Sequence, residues 1–289
     1  MPGSDLLIDA PSLRDELGEA NLRVIDATAF LVREVPGGPY TVQSGRAGFD
    51  DVHIEGAVFA DIPADLSDPE SPFRFAVPRP EGFARAIGAL GVGPGVRVVV
   101  YARETPMWAT RLWWLLRYFG FDDVRVLDGG LPAWLRAGYP VSREPSVVAP
   151  ATFVARPRPE LLASKNDVLR YVGGEPACLV NALLPEAFRG EGPGAYSRPG
   201  RIPGSLSVPA HDLTDADTGC FRPAAELAHE LGHLVNLDRR VPLVVYCGGG
   251  ISATVDIFVF SMLGRDDVRL YDGSLTEWSA DPHLPLEVG

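Results

Sequence analysis

Cys247 opens the segment Cys247-Gly-Gly-Gly250-Ile-Ser252, directly after the apolar run Leu243-Val-Val-Tyr246 and at the start of a helical segment, Ser252–Leu263. Three consecutive glycines lack Cβ atoms, so the backbone can curl tightly and aim successive amide N–H groups at one spot. The N-terminus of the following helix adds its dipole there. A thiol in such a cradle has its anion stabilised, so its pKa is expected to fall and Cys247 is expected to be a nucleophile. Gly248, Gly249, Gly250, Ile251 and Ser252 are the cradle residues, and none of them is a cation. Cys178 lies in an apolar strand and Cys220 in a polar loop, and neither has a cradle. Three scattered cysteines with no C-x-x-C exclude a disulfide framework.

Two other patterns compete with this one. A phosphatase loop needs arginine six residues after its cysteine, to grip phosphate bidentately, and Ala253 stands there. His229-Glu-Leu-Gly-His233 matches H-E-x-x-H, with both histidines one helical turn apart. A zinc hydrolase needs a third ligand, and no extended histidine or glutamate-bearing helix follows before Pro242. The segment is read as the solvated face of a helix, and neither a metal nor a cofactor is expected.

The elements that must position Cys247 are legible as alternating runs. Leu22–Ile25, Val96–Tyr101, Val124–Leu127, Cys178–Val180, Leu243–Tyr246 and Val268–Tyr271 are short apolar runs bounded by Gly, Pro or Asp, as buried parallel strands are. Glu81–Leu90, Pro106–Phe119, Ala224–Val235 and Ser252–Leu263 have helical character. The alternation predicts an α/β fold with helices on both faces of a parallel sheet, and ligands in such sheets sit outside the carboxyl ends of the strands. Cys247 lies at such an end.

The chain also repeats itself. Val124-Arg-Val-Leu-Asp-Gly-Gly-Leu-Pro-Ala-Trp134 matches Val268-Arg-Leu-Tyr-Asp-Gly-Ser-Leu-Thr-Glu-Trp278 at six of eleven positions, an offset of 144 residues (278 − 134). Arg97–Tyr101 corresponds to Pro242–Tyr246, His53-Ile-Glu-Gly56 to Arg201-Ile-Pro-Gly204, and Val24–Asp26 to Leu179–Asn181. Preserved order with a drifting offset means two similar domains, 1–143 and 160–289. Residues 144–159, with four prolines between Pro145 and Pro159, read as an extended linker. In the first copy Ala102 stands at the position of Cys247. The Asp128 and Asp272 turns recur in both copies and read as fold-determining; Trp113 and Trp114 read as core.

Composition bounds the partners. The 289 residues are 46% hydrophobic and 22% charged, which is globular composition, with a net charge of −12 and no basic block. A nucleic-acid or anionic-membrane partner needs a concentrated positive face and is excluded. Lys165 is the only lysine, so a side-chain anion site must use arginine or histidine. No apolar stretch approaches 18 residues and Met1–Asp5 has no signal-peptide character, so a cytoplasmic protein is expected.

The Cys247–Ser252 loop, the His53-Ile-Glu-Gly56 and Arg201-Ile-Pro-Gly204 segments, Leu112–Gly120 and the two Asp-Gly-x-Leu-x-x-Trp endings together resemble the tandem-domain rhodanese-type sulfurtransferases. The resemblance implies two rhodanese-like domains with the site between them, a non-catalytic first half and a catalytic second half. It implies transfer of a sulfane sulfur from a small donor to a thiol, cyanide or sulfur-carrier protein through a Cys247 persulfide. The loop is closer to the C-G-S-G type of 3-mercaptopyruvate enzymes than to the C-R-K-G type of thiosulfate enzymes, and a cation-free loop is poorly suited to dianionic thiosulfate. His53 is either a structural histidine closing a turn or, by resemblance, a cleft residue handling a proton with Asp61. Phe30, Met107 and Trp108 fall on the family's apolar wall facing the nucleophile, or are ordinary core.

Three departures stand out. The relay serine of the mercaptopyruvate enzymes falls at Gly249, the substrate-gripping arginine at Ala187, and the arginine of the strand-end Asp-Ala-Arg at Leu183. Arg189 and Arg198 are the candidates to replace the missing grip. These departures keep a second reading open, a persulfide carrier that serves one protein partner without turning over small donors.

Overall fold

A computed structural model describes residues 6–33, 40–191 and 196–289. In the first half five strands, Leu7–Ile8, Leu22–Asp26, Val58–Phe59, Arg97–Tyr101 and Val124–Leu127, form one all-parallel sheet in the lateral order first, fifth, fourth, second, third. In the second half Leu162–Ala163, Cys178–Asn181, Leu206–Ser207, Leu243–Tyr246 and Arg269–Tyr271 form another, again all parallel and in the same lateral order. The repeat legible in the sequence is a repeat of topology.

Both faces of each sheet are covered, which is why the central strands are apolar throughout and not alternating. In Arg97–Tyr101, Val98 and Val100 face one core while Val99 and Tyr101 face another. Leu243 and Val245 join the same core as Val98 and Val100, whereas Val244 and Tyr246 enter a third. One apolar core therefore runs continuously between the two sheets.

Two helices fill it. Met107–Tyr118 and Ala253–Met262 pack on each other, and every residue from Ala253 to Ser261 is buried. Trp113 meets Phe258 edge-on at 4.8 Å and Thr110 Oγ1 lies 2.9 Å from Thr254 Oγ1. A helix apolar on all sides has no stable place except between two layers.

The repeated motifs have matching structural duties. The hydroxyl of Tyr101 accepts the N–H of Ile54 at 3.3 Å, and that of Tyr246 accepts the N–H of Ile202 at 3.0 Å. The His-Ile and Arg-Ile segments are thus tied to the ends of the central strands.

Residues 144–158 of the expected 144–159 linker carry neither helix nor strand, and they are tied to the first half. Ala151 N–H donates to Gly88 O at 2.9 Å, Arg156 N–H to Phe119 O at 2.9 Å, and Arg158 grips Asp122 with two 2.6 Å bonds. Phe153 is buried against Phe83.

Candidate active site

Cys247 ends the Leu243–Tyr246 strand and is 2% exposed. The Ser274–Ala280 helix takes up the polar groups on one side of the loop. Cys247 N–H donates to Ser274 Oγ at 3.1 Å, Leu275 N–H to Cys247 O at 3.1 Å, and Thr276 N–H to Gly248 O at 2.9 Å, with Thr276 Oγ1 adding a 2.6 Å bond to the same carbonyl. With those carbonyls held there, the amides of Gly248, Gly249, Gly250, Ile251 and Ser252 have no partner among the described residues. They are backbone donors left over at the start of the Ala253–Met262 helix, where an anion can be held.

The three glycines differ in what requires them. Gly250 has φ +77°, and a Cβ there would lie 2.6 Å from Asp272 Oδ1. A Cβ on Gly248 would overlap the Tyr196 hydroxyl. A Cβ on Gly249 would meet nothing closer than 3.8 Å, the Phe75 ring and Thr276 Oγ1.

The first half reaches into this loop through Arg111, which is fully buried in the Met107–Tyr118 helix. It donates to Gly250 O at 3.1 Å, to Asp272 Oδ1 at 2.7 Å and to Phe75 O. The other oxygen of Asp272 accepts Val77 N–H at 2.8 Å. A mirror contact exists in the other copy, where Asp128 Oδ1 accepts Phe221 N–H at 2.8 Å. Each half thus captures a backbone amide of the other. Phe75 has φ +64°, a left-handed conformation uncommon outside glycine, and its ring lies edge-on to Trp108 at 5.4 Å.

Family comparison settles the lineage. A family model of the rhodanese-like domain matches residues 9–137 and 188–281. The chain belongs to the rhodanese family. Human 3-mercaptopyruvate sulfurtransferase is 34% identical to this rhodanese over 273 residues, 93% of this chain and 89% of the human protein. The 3-mercaptopyruvate sulfurtransferase of Escherichia coli K12 is 37% identical over 244 residues, 81% and 83% of the two chains. The crystal structure of SseA from Escherichia coli superposes with a TM-score of 0.79 at 31% identity, covering 93% of this chain and 98% of that one. This rhodanese is a sulfurtransferase enzyme.

The structure sorts the remaining expected residues of the rhodanese. Met107 touches the loop, accepting the Ser252 hydroxyl on its sulfur at 3.8 Å, and Trp108 is buried behind Phe75. Phe30 lies in a two-stranded ribbon, Ala29–Val32 with Thr41–Ser44, paired opposite Gln43. His53 is not a cleft residue. It is 1% exposed, stacked on Phe49 at 4.1 Å, with Nδ1 2.7 Å from Phe49 O and Nε2 3.2 Å from Glu144 O. Both ring nitrogens are occupied in closing the turn. Asp61 has no contact with His53: it accepts from Ser44 Oγ at 2.5 Å and from Ala64 N–H at 3.2 Å, capping the short Ile62–Asp65 helix.

The two substitute arginines are also committed elsewhere. Arg198 donates to the carbonyls of Ser279, Leu284, Trp278 and Asp281, at the C-terminal end of the last helix. Arg189 is exposed and paired with Glu191 at 2.8 Å. His229 and His233 are exposed, and the Glu230 between them is bound by Arg222 at 2.6 Å. No helix among the described residues is long and apolar enough to cross a membrane.

Three neighbours of the Cys247–Ser252 loop escaped sequence reasoning: Arg111, Phe75 and Tyr196. Arg111 left a signal, a cation inside the apolar Thr110–Phe121 run that needed a buried partner. Phe75 and Tyr196 lie in irregular segments and left none.

Proposed function

We propose that this rhodanese transfers a sulfane sulfur from 3-mercaptopyruvate, in preference to thiosulfate, through a persulfide on Cys247. The observation that carries the reading is the set of five unpartnered amides, Gly248 to Ser252, in a loop with no cationic side chain. Backbone donors fixed in place stabilise an anion at one point without reorganising, which is what an attacking thiolate and a bound persulfide both require. A second sulfur on Cys247 enlarges the anion, and the loop offers donors for it. Dianionic thiosulfate gains less there, since no guanidinium or ammonium in the loop meets its second charge.

Cys247 is the nucleophile in this reading and Ala102 leaves the first domain, residues 1–143, without one. Residues 144–159 connect it to the second, 160–289. The acceptor is a small thiol, cyanide or a sulfur-carrier protein, and the protein acts in the cytoplasm. No cofactor takes part in the proposed chemistry.

Intact-mass spectrometry after incubation with each donor tests this, together with pyruvate release. Wild type is expected to gain one sulfur and to release pyruvate from 3-mercaptopyruvate, whereas Cys247→Ser does neither. Equal transfer by Cys247→Ser would falsify the proposal. Mass gain without repeated turnover would favour the carrier reading that the vacant positions Ala187 and Gly249 motivate.

A further inference from the structure

Removing sulfur from 3-mercaptopyruvate breaks a C–S bond whose electron pair stays on carbon, so the departing enolate must receive a proton. A general acid beside the loop is therefore required for that donor, and the hydroxyl that the family resemblance places at residue 249 is absent. The remaining hydroxyls of the loop are engaged. Ser274 Oγ donates to Tyr271 O at 2.8 Å, Thr276 Oγ1 to Gly248 O at 2.6 Å, Thr254 Oγ1 to Ile251 O at 2.7 Å, and Ser252 Oγ to Met107 Sδ at 3.8 Å. Phe75, which with Thr276 lies nearest position 249, has no proton to give.

Tyr196 differs from all of these. Its hydroxyl lies against Cα of Gly248, in the space a side chain there would fill, and it has no hydrogen-bond acceptor among the described residues. Gly248 follows Cys247 directly, so the phenol packs against the first residue of the glycine loop. Burial raises its pKa, the Cys247 sulfur and Tyr40 raise it further, and Arg33 opposes them. The phenol consequently keeps its proton through the neutral range and remains far more acidic than the methyl group of a ketone.

Building on the reading above, we infer that Tyr196 is the general acid that protonates the carbon leaving group of the sulfur donor. Cys247 thiolate attacks the donor sulfur, forming the S–S bond as the C–S bond breaks. The electron pair passes to the CH2 carbon as the pyruvate enolate, which takes the Tyr196 proton and leaves as pyruvate. The donor's own S–H proton, now on the persulfide, returns to the tyrosinate through solvent, so one thiolate is exchanged for one persulfide anion with no net proton change.

Tyr196→Phe separates this role from a structural one, because it removes only the hydroxyl. Two rates are compared with wild type: single-turnover pyruvate release from 3-mercaptopyruvate, and alkylation of Cys247 by iodoacetamide across pH. Iodide needs no proton to leave, so alkylation reports the cradle alone. Pyruvate release is expected to fall about 100-fold or more, the usual scale of a positioned acid, while alkylation stays within about threefold at every pH. Wild-type pyruvate release by Tyr196→Phe overturns the inference, and so does a matching fall in both rates. Failure of wild type to release pyruvate, or release by Cys247→Ser, sinks the donor assignment instead.

Discussion

Arg111 of the first domain donates to the carbonyl of Gly250, 3.1 Å away, in the loop that cradles Cys247 of the second. The contact turns that carbonyl toward a guanidinium. A residue of the first copy therefore fixes a carbonyl in the glycine loop of the second.

Replacing Arg111 by Met removes the guanidinium from the partly buried Asp272 carboxylate and frees two carbonyls. The expected loss is about 3–5 kcal/mol of stability, read by urea unfolding. Arg111→Lys keeps the charge but cannot reach three acceptors in different directions, so it should fall between wild type and Met. Unfolding midpoints that coincide for all three proteins would contradict the assignment.

The glycines of the loop should not be equivalent. Gly249→Ala has open space and is expected to leave Cys247 alkylation and thermal stability near wild type. Gly250→Ala forces a β-carbon into a left-handed residue against Asp272, at a cost of about 1–3 kcal/mol or more. Gly248→Ala collides with Tyr196, and the added substitution Tyr196→Ala should restore its alkylation rate. Equal damage at all three positions would rule this ordering out.

Asp256 sits in the fully buried helix behind the loop, and neither of its carboxylate oxygens has a hydrogen-bond partner among the described residues. Burial holds its carboxyl well above the ordinary value of 3.8. The folded protein therefore keeps this proton to higher pH than the unfolded chain does, and the associated stability is full below the unfolded value and is lost as pH rises. Asp256→Asn removes the titration. Relative to wild type its stability should climb from pH 4 to pH 8 by about 1.4 kcal/mol per unit until the folded carboxyl ionises. Parallel stability curves would refute it.

Arg198 and Arg189 should separate cleanly. Arg198→Ala abandons four backbone carbonyls at the end of the last helix and is expected to destabilise by about 2–4 kcal/mol, with the donor KM unchanged within about twofold. Arg189→Ala loses only an exposed pair and should leave the unfolding midpoint where it is. A donor KM raised tenfold in either protein would instead mark that arginine as the missing grip.

Much of this architecture is legible in the sequence. Parallel strands covered on both faces must be apolar along their whole length, so Arg97–Tyr101 and Leu243–Tyr246 stood out, and the duplication aligned them. The two-residue edge strands, such as Leu7–Ile8 and Leu206–Ser207, are too short to carry a pattern. At the site, Cys247 and its glycines were legible because backbone chemistry needs consecutive small residues. His53 left two readings open because sequence names a residue without its depth; its buried ring, stacked on Phe49, fits the turn-closing one. Tyr196 was illegible for the opposite reason: an irregular chain path, and not any periodicity, brings it to Gly248.

The Asp128 and Asp272 turns carry a last implication. Each half of the molecule holds a backbone amide of the other, and residues 151–158 are hydrogen-bonded along the first half, so the two halves are expected to lose stability when separated. Excising residues 1–143 would strip the apolar helix Ala253–Met262 of its cover and the glycine loop of Arg111. The copy that carries Ala102 thus covers the core helix of the copy that carries Cys247, and a substitution in either half can reach the same glycine loop.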